Sequence, residues 1–477
     1  MQPKTIVALF LLMACCACVP VEHDRSPQIP KMVADVSSFH TLGAQTIPAQ
    51  PDNLAFTFDD PQLQALLTHG LRNNPRYAEA LARLHKADAL VGQQRASMRP
   101  QMAADGSLNE AQESRNIGFP PQFSNFIPKG LHSNTRVTLG ASLDADLFGR
   151  NRAALAALVS EAAATSYDHH QAQLTLYALI ARAYVDFARA IDDEAAATAV
   201  AALRQHELDL ATLRRNAGLD DESVVAKAMS DSQSAREAVE FGRSEIAIAR
   251  YRIAALVGEG PDFGTTLAVP TLLLPRNLNE QVGMDVIANR PDVAAAKMRI
   301  EAEASRVKAA RRDFYPNISL AALAGFQSFD VSQLLLGSSA IPSFGAAIHL
   351  PLFDSGRLKA AYHAQQADYD AAVEYYNDTL IGALQDVSTS LSHLHEAQSQ
   401  YTTALSNVQQ AKRIDDIAND RLRAKITSQY AVLPTHHALL DAQAHAADAR
   451  SSLIVARIDV LRALGGNLTQ ATGGDKQ

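Results

Sequence analysis

Residues 357–425 read RLKAAYHAQQADYDAAVEYYNDTLIGALQDVSTSLSHLHEAQSQYTTALSNVQQAKRIDDIANDRLRAK, with no proline and a single glycine, Gly382. Apolar side chains recur three and four apart at Tyr369, Val373, Tyr376, Leu380, Leu384, Val387, Leu391, Leu394, Tyr401, Leu405 and Val408. That spacing predicts a helix packed along a narrow seam, as in a coiled coil. At about 1.5 Å per residue, roughly 69 residues make a rod of about 100 Å. An average globular helix has about 11–12 residues, so this one is a spanning device.

The chain contains such a stretch twice. Arg150 to Asn216 is also free of proline and glycine, and it aligns with the first at a constant offset of 207 positions. Leu147 to Arg150 (LFGR) answers Leu352 to Arg357 (LFDSGR), Ala249-Arg250 answers Ala456-Arg457, and Gly258 answers Gly465. Upstream the offset is 216, pairing Pro75 with Pro291 and Pro100 with Pro316, so the first copy carries nine extra residues between Pro100 and Leu147. The chain is a tandem duplication of one large unit, with a period too long for a solenoid.

The 477 residues carry a net charge of −8, from 43 Lys plus Arg against 51 Asp plus Glu. There is no basic block, which argues against nucleic acid as a partner. All three cysteines, Cys15, Cys16 and Cys18, fall in the first 18 residues. The remainder therefore has no disulfide and no thiolate metal site. Lys4, the apolar run from Ile6 to Met13 and the small residues after it read as a bacterial export signal. Leu12-Met13-Ala14-Cys15 resembles a lipobox, which makes Cys15 the expected acylated first residue, with Cys18 as the alternative. Acyl chains there would anchor the chain stably.

Val19 to Ala55, rich in Pro, Gln and Ser and without period, reads as an extended tether. Asp59-Asp60-Pro61 caps a short helix through Leu71, and Pro75 opens a second reaching about Met98. Gly258 to Pro275 is punctuated as a linker. Asn279 to Asn289 and Pro291 to Phe314 repeat the short-helix, longer-helix pattern. The expected organisation is a signal peptide over 1–14, a tether over 15–58 and a first repeat over 59–258 with strands at about 101–147. A linker over 259–279, a second repeat over 280–466 with strands at about 317–353, and a tail over 467–477 complete it.

Between the helices lie four stretches of period 2. Val137, Leu139, Ala141, Leu143, Ala145 and Leu147 share a face opposite Arg136, Thr138, Ser142, Asp144 and Asp146. Phe344, Ala346, Ile348, Leu350 and Leu352 oppose Ser343, Gly345, Ala347 and His349. Ile318, Leu320, Ala322, Ala324 and Phe326 form a third apolar face, and the 216 offset maps Met102, Ala104, Gly106 and Leu108 onto its first four members. Strands of about 10 residues, apolar on one side and small or polar on the other, are the pattern of transmembrane β-barrels. Leu139, Leu143, Leu320, Phe344 and Ile348 are then expected against lipid, with Thr138 and His349 facing the lumen. Four strands cannot close a barrel, which takes about eight, and open edges cannot face lipid. Closure calls for further copies, and three would give twelve strands.

These residues resemble the TolC-type outer-membrane factors of tripartite efflux pumps, in particular the NodT-like lipoprotein branch. The likeness runs from Phe58 to Gly466. It is carried by Asp60-Pro61 with Asn74-Pro75, by Asn289-Arg290-Pro291-Asp292, and by Phe314-Tyr315-Pro316-Asn317-Ile318. The most specific carrier is Leu350-Pro351-Leu352-Phe353-Asp354-Ser355-Gly356-Arg357. Phe56 and Phe58 stand where relatives often carry Trp. The resemblance implies a mainly α fold with a membrane β part. In it, duplicated long helical hairpins and four strands per chain form a trimeric 12-stranded β-barrel continued by a 12-helix α-barrel. It further implies a homotrimer in outer-membrane lipid that works with a periplasmic adaptor and an inner-membrane pump, as a passive duct for drugs or toxic organic compounds. A type I protein-secretion channel and a coiled-coil envelope tether are the alternative functions.

No cofactor or catalytic site is expected. His393 and His395, His169-His170 and His436-His437 are one or two apart and do not face together on a helix. No phosphate loop, nucleophile elbow or His-Glu-x-x-His motif occurs. The helix reversals at Arg214 to Glu222 and Arg421 to Gln429 are the expected periplasmic tips, where the gate and adaptor docking would lie. The residues concerned are Arg215, Gly218, Leu219, Asp220, Asp221 and Glu222 in the first half and Arg423, Lys425, Ile426 and Ser428 in the second. Gly218 supplies the positive φ such a turn needs, whereas its counterpart Lys425 is expected to sit in a strained or differently shaped turn. Family members hold the aperture with acidic residues a few positions further on, but the matching positions here are Ala431 and Pro434. The expected substitute is a set of salt bridges from Asp220, Asp221 and Glu222 to Arg423 and Lys425.

Overall fold

The computed structural model describes residues 60–112, 130–270 and 290–466. The signal peptide, Cys15 and Cys18, the tether with Phe56 and Phe58, residues 113–129, residues 271–289 and the tail over 467–477 lie outside the described residues. So does the short helix expected over Asn279 to Asn289.

Seven α-helices are described. Helix α1 (Pro61–Asn73) starts where the sequence places it: Pro61 occupies the first turn, and the Asp60 carboxylate accepts from Gln62 N–H at 2.8 Å and Leu63 N–H at 3.3 Å. Helix α2 (Pro75–Ser97) is capped by the Asn74 side-chain oxygen, which accepts from Arg76 and Tyr77 N–H at 2.9 and 3.0 Å. The others are α3 (Arg150–Asn216), α4 (Glu222–Leu256), α5 (Pro291–Arg312), α6 (Arg357–Arg423) and α7 (Leu433–Ala463). Both α3 and α6 have 67 residues. Helix α6 stops two residues before the expected Lys425 because Lys425 itself adopts φ 61°.

Along α6 the buried positions include the series Val373, Tyr376, Leu380, Ala383, Val387, Ser390, Leu394, Ala397 and Ala404, alternating steps of three and four around the half-buried Tyr401, with Asn377, Leu384 and Leu391 buried beside it. That is a 3.5-residue repeat. It corrects one expected seam residue: Leu405 stands 47 % exposed. The next step of three after Tyr401 falls on Ala404.

Two compact units divide the chain. In the unit containing residues 165–296 and 376–477, α1 lays Leu63, Leu66 and Leu67 against Leu176, Ile180, Tyr184 and Phe187 of α3 and Ile253 of α4. Tyr184 donates to Asp60 Oδ2 at 2.7 Å. Burial, with the adjoining carboxylate, pushes the phenol well above its ordinary range and keeps it a donor. The first part of the expected linker is not loose. Residues Pro261–Thr266 form a 3-10 turn, and Leu267 is buried in the same cluster. A Cβ at Gly264 would lie 2.7 Å from the Arg250 carbonyl oxygen, so only glycine lets the turn press this close to α4.

In the unit containing residues 85–164 and 297–375, four strands form one antiparallel sheet in the order β1-β2-β3-β4. They are β1 (Gln101–Ala111), β2 (His132–Asp144), β3 (Asn317–Ser328) and β4 (Ser343–His349). Strand β2 begins earlier than its alternation suggested. Ser133 and Asn134 pair with Glu110 and Asn109, so backbone bonds carry the strand upstream of its alternating stretch. The outer edges of β1 and β4 have no strand partner among the described residues.

The duplication survives as backbone conformation. At the 207 offset, Gly149 and Gly356 have φ 80° and 86°, Gly218 and Lys425 have 73° and 61°, and Gly258 and Gly465 both have 82°. A polar tie repeats as well. Asn74 Nδ2 donates to the Leu256 carbonyl at 2.8 Å, and Arg290 Nη1 donates to the Ala463 carbonyl at 2.8 Å. In each half the residue before the proline thus satisfies an orphan carbonyl at the end of the returning helix. Burial draws the Arg290 pKa down, but the hydrogen bonds it donates to Asp292 and Asp386, with their charges, more than offset this and raise it.

Candidate functional site

Two regions carry functional geometry: the sheet face and the two helical reversals. The pairing register joins the apolar sets of all four strands on one side. Met102, Ala141, Ala322 and Phe344 form one row across the sheet, Ala104, Leu139 and Ala324 another, and Leu143, Leu320 and Ala346 a third. Ile318 pairs with Ile348 at the end. Met102, Leu139, Leu320, Phe344 and Ile348 are exposed and Leu143 is half-buried. An exposed apolar area this extended needs an apolar partner.

The opposite side carries Gln101, Ser142, Ala321 and Gly345 in one row and Asp105, Thr138 and Gly325 in another. His349 pairs with Asn317 on this side. Thr138 is not the open lumenal position the alternation suggested, being only 6 % exposed. Gly325 lies opposite, and a Cβ there would meet the Thr138 methyl at 2.7 Å, so the threonine fills the space the glycine leaves.

At the sheet-to-helix junctions the LFGR and LFDSGR motifs have one physical job. Each supplies a left-handed glycine and works with a carboxylate at the start of the long helix, Asp354 inside LFDSGR and Asp146 one residue ahead of LFGR. Asp146 accepts from Asn151 and Arg152 N–H at 2.9 and 3.1 Å. Asp354 accepts from Gly356 and Leu358 N–H at 3.0 and 2.8 Å. Carboxylates there satisfy free N–H groups and suit the helix dipole.

The reversals after α3 and α6 close in the same way. Leu219 N–H bonds to Arg214 O and Gly218 N–H to Arg215 O, each at 2.9 Å. Ile426 N–H bonds to Arg421 O and Lys425 N–H to Leu422 O, also at 2.9 Å. This is the Schellman pattern, whose left-handed residue is Gly218 in one turn and Lys425 in the other. Leu219 and Ile426 follow these residues and stand 66 % and 75 % exposed.

The expected bridges between the two turns are not formed; the three acids and Arg423 are each taken up within their own turn. Arg214 forks onto Asp220 at 2.6 and 3.0 Å, and Arg215 reaches Glu222 at 2.7 Å. Asp221 caps α4 through Ser223 N–H at 2.9 Å and Val224 N–H at 3.4 Å. Arg423 holds Asp420 at 3.1 Å. Partners six or seven residues apart across a tight turn are reached sooner than a second hairpin. The Arg214 hydrogen bond holds the Asp220 carboxyl below its ordinary range, and the Ser223 hydroxyl and amide do the same for Asp221.

What joins the turns is a set the sequence did not single out. Arg214 lies 5.6 Å over the Tyr430 ring, Gln429 bonds His206 at 2.6 Å, and His437 bonds Glu207 at 2.8 Å. Within the second hairpin, buried Asp415 accepts from Thr435 at 2.8 Å and, one helical turn on, from Asn419 at 2.9 Å, and contacts His436. The partners that join the two turns lie far apart in sequence and share no spacing rule. Only Asp415 left a trace, because it continues the heptad of α6. Ser428 contributes its carbonyl, which accepts from Ala431 N–H at 3.1 Å. Among the described residues no group of three His, Cys, Asp or Glu is placed to hold a metal ion. None of their helices is long and apolar enough to cross a membrane.

Against this geometry stand the likenesses to known proteins. The toluene efflux pump outer membrane protein TtgC of Pseudomonas putida is 29% identical over 99% of this chain and 96% of its own length. The pyoverdine export outer membrane protein OpmQ of Pseudomonas aeruginosa is 24% identical over 98% and 97%. Among solved structures, the outer membrane protein VceC of Vibrio cholerae superposes with a TM-score of 0.76 at 29% identity, over 85% of this chain and 97% of that one. The family described as outer membrane efflux protein matches residues 66–259 and 283–466. An apolar four-stranded sheet, long paired helices and a match across both halves of the duplication converge: this chain belongs to the outer membrane efflux protein family and is an efflux channel of the outer membrane.

Proposed function

We propose that the chain works as a homotrimeric passive duct for small organic compounds. In this reading three copies pool their four strands into a twelve-stranded barrel in outer-membrane lipid, and their long helices form the periplasmic tube. The observation that carries it is the continuous apolar face across β1 to β4, combined with two strand edges that lack partners. Lipid would cover the face, with Leu139, Leu143, Leu320, Phe344 and Ile348 outward, and neighbouring copies would cover the edges. TtgC is named for toluene, an apolar organic molecule, which supports cargo of that class.

The turns are the docking end. Exposed Leu219 and Ile426, flanked by Arg215, Asp220, Asp221, Glu222, Arg423 and Ser428, offer an adaptor protein an apolar knob with a charged rim in each half. An inner-membrane pump would feed the duct through that adaptor. Acylation of Cys15 would add an anchor beside the barrel. The test is conductance of purified protein in planar bilayers, with mass spectrometry of the mature N-terminus. Steady ohmic conductance with an acylated Cys15 supports the reading. A protein that assembles yet passes no current is a tether, and an unmodified N-terminus other than Cys15 removes the anchor.

A further inference from the structure

The duplicated halves meet along a boundary that has no duplicate within the chain. In the sheet, Gln101 pairs with Ser142 and Asn317 with His349, the same pair displaced by 216 and 207 positions. The pairs β1–β2 and β3–β4 therefore share one register. Between them, β2 sets Ser142 opposite Ala321, Ala141 opposite Ala322 and Leu139 opposite Ala324 of β3. Moved by the same offsets, this pairing lays β4 beside β1, with His349 opposite Asp105, Ile348 opposite Gly106 and Ala346 opposite Leu108. Within one chain β1 and β4 are the outer strands and do not pair. The transferred register keeps both faces intact: His349 and Asp105 fall on the side away from the apolar set, and on the apolar side each large residue meets a small one. A slip of one residue would exchange the faces.

The helices of the other unit repeat the pattern. Helices α3 and α7 run antiparallel, tied by Arg182 to Asp459 and by Arg450 to Asp192 at 2.7 Å. Beside the first tie, Leu174, Ala178, Ala181 and Val185 of α3 close on Ile454, Ile458 and Leu461 of α7. At the 207 offset α6 is the duplicate of α3, and α4 the duplicate of α7. Leu174 is 1 % exposed and its duplicate Ile381 48 %; Ile458 is fully buried and its duplicate Tyr251 50 % exposed. Buried Ala178 and Val185 become exposed Gln385 and Ser392, and half-buried Val455 becomes exposed Ile248. Positions that pack within their own half behave otherwise. Ile180, Tyr184 and Phe187 are buried, and so are their duplicates Val387, Leu391 and Leu394. Exposure therefore changes only where α3 meets α7, which leaves one face of α6 and one face of α4 uncovered by any described element.

We propose that the boundary between copies repeats the boundary between halves. Helix α6 packs on α4 of the next copy through Ile381, Ser388 and Ser392 against Ile248 and Tyr251. Strand β4 pairs with β1 of the next copy in the register that sets His349 opposite Asp105. The inference rests on the homotrimer reading and adds to it which faces meet and in what register. A contact between two different faces adds copies head to tail and closes into a ring. The ion pairs of the internal boundary do not carry over. Thr389 and Arg252 stand where Arg182 and Asp459 do, and Arg252 is held by Asp186 of its own hairpin at 3.1 Å. The helical contact between copies thus depends on apolar and small side chains, and the polar pair of the boundary lies in the sheet.

Oxidative crosslinking of the full-length protein in membranes, in a Cys16→Ser, Cys18→Ser background, tests both contacts. Ser388→Cys with Tyr251→Cys copies the internal neighbours Ala181 and Ile458. That pair, and separately His349→Cys with Asp105→Cys, should give covalent trimer on a denaturing gel after treatment with copper phenanthroline. Each single variant should run as monomer, and so should Ala181→Cys with Ile458→Cys, whose bond closes inside one chain. His349→Cys with Ala103→Cys is two residues out of register on the same face. It should link about tenfold less, because diagonal neighbours stand roughly 7–8 Å apart and a disulfide needs β-carbons about 3.5–4.5 Å apart. Should the Tyr251 pair fail to assemble, Ser392→Cys with Ile248→Cys replaces it. Absence of links between chains in the assembled helical pair, or equal linking by the two strand pairs, overturns the inference. The mass of the unaltered protein in detergent separates the two readings. Trimers whose pairs do not link defeat only this inference, and a protein that forms no trimer defeats the homotrimer reading too.

Discussion

Lys425 holds a left-handed conformation that its counterpart Gly218 adopts freely. For a residue with a Cβ this costs roughly 1–2 kcal/mol. Lys425→Gly should therefore stabilise the second reversal by about 1 kcal/mol, after the added freedom of the unfolded glycine is subtracted. Gly218→Ala should weaken the first by a similar amount. Nothing lies within 4 Å of a Cβ built at Gly218, so its effect would be purely conformational. Hydrogen exchange at the amides of Leu219 and Ile426 measures both, and opposite-signed changes are expected. The acids set a pH window on the same turn. The pKa values of Asp220 and Asp221 are lowered on folding, so their support is fully present above the unfolded carboxylate value of about 3.9 and fades as pH falls through the folded value. Protection of the first-reversal amides, corrected for the intrinsic pH dependence of exchange, should stay flat from pH 8 to about 5 and fall only below about 4.

At the scale of the element, the sheet register decides which substitutions matter. Leu139 and Ser142 lie three residues apart on opposite faces of β2. Arginine at the lipid-facing position near mid-bilayer costs roughly 2–4 kcal/mol. Leu139→Arg should deplete heat-resistant trimer on a gel, and Ser142→Arg should assemble and alter conductance. Equal depletion by both would mean the assigned register is wrong. Thr138 is unsuitable for this comparison because it packs against Gly325. The faces were legible beforehand because alternation is a local property, and the helices because a heptad without proline has few other readings. What sequence could not reach was long-range. Arg214 and Tyr430 meet across 216 positions, and no period announces them. The side on which Thr138 stands was legible but its burial was not, because Gly325, on another strand, decides whether it is open. The expected bridges to Arg423 and Lys425 failed for a related reason: complementary charge in two turns was counted, and the nearer partners Arg214 and Arg215 were not.

For the whole molecule, the duplication explains why so little sequence is repeated while so much conformation is. Three pairs of left-handed residues and one pair of carbonyl ties hold the two halves to a common backbone, and only one member, Lys425, departs from the residue type that suits it. Asn74 and Arg290 show how far the chemistry can drift. Both donate to the end of a returning helix, one as a neutral amide and the other as a buried cation needing Asp292 and Asp386. The cation is the more demanding solution. Arg290→Met leaves the Ala463 carbonyl without its donor and should cost roughly 1–3 kcal/mol, since Asp292 and Asp386 keep access to solvent. Asn74→Ala should cost about 1–2 kcal/mol. Paired thermal melts of the trimer would rank them.

The unpartnered edges of β1 and β4 have a genetic consequence. A chain that must borrow both edges from its neighbours cannot be judged one allele at a time. If a copy carrying Ser142→Arg is produced in equal amount beside the wild type and the two mix at random, only about one trimer in eight contains three intact chains. The altered allele should then suppress efflux well beyond the half that simple dilution would remove. It should behave as a dominant trait in a cell that still holds a perfect copy of the gene.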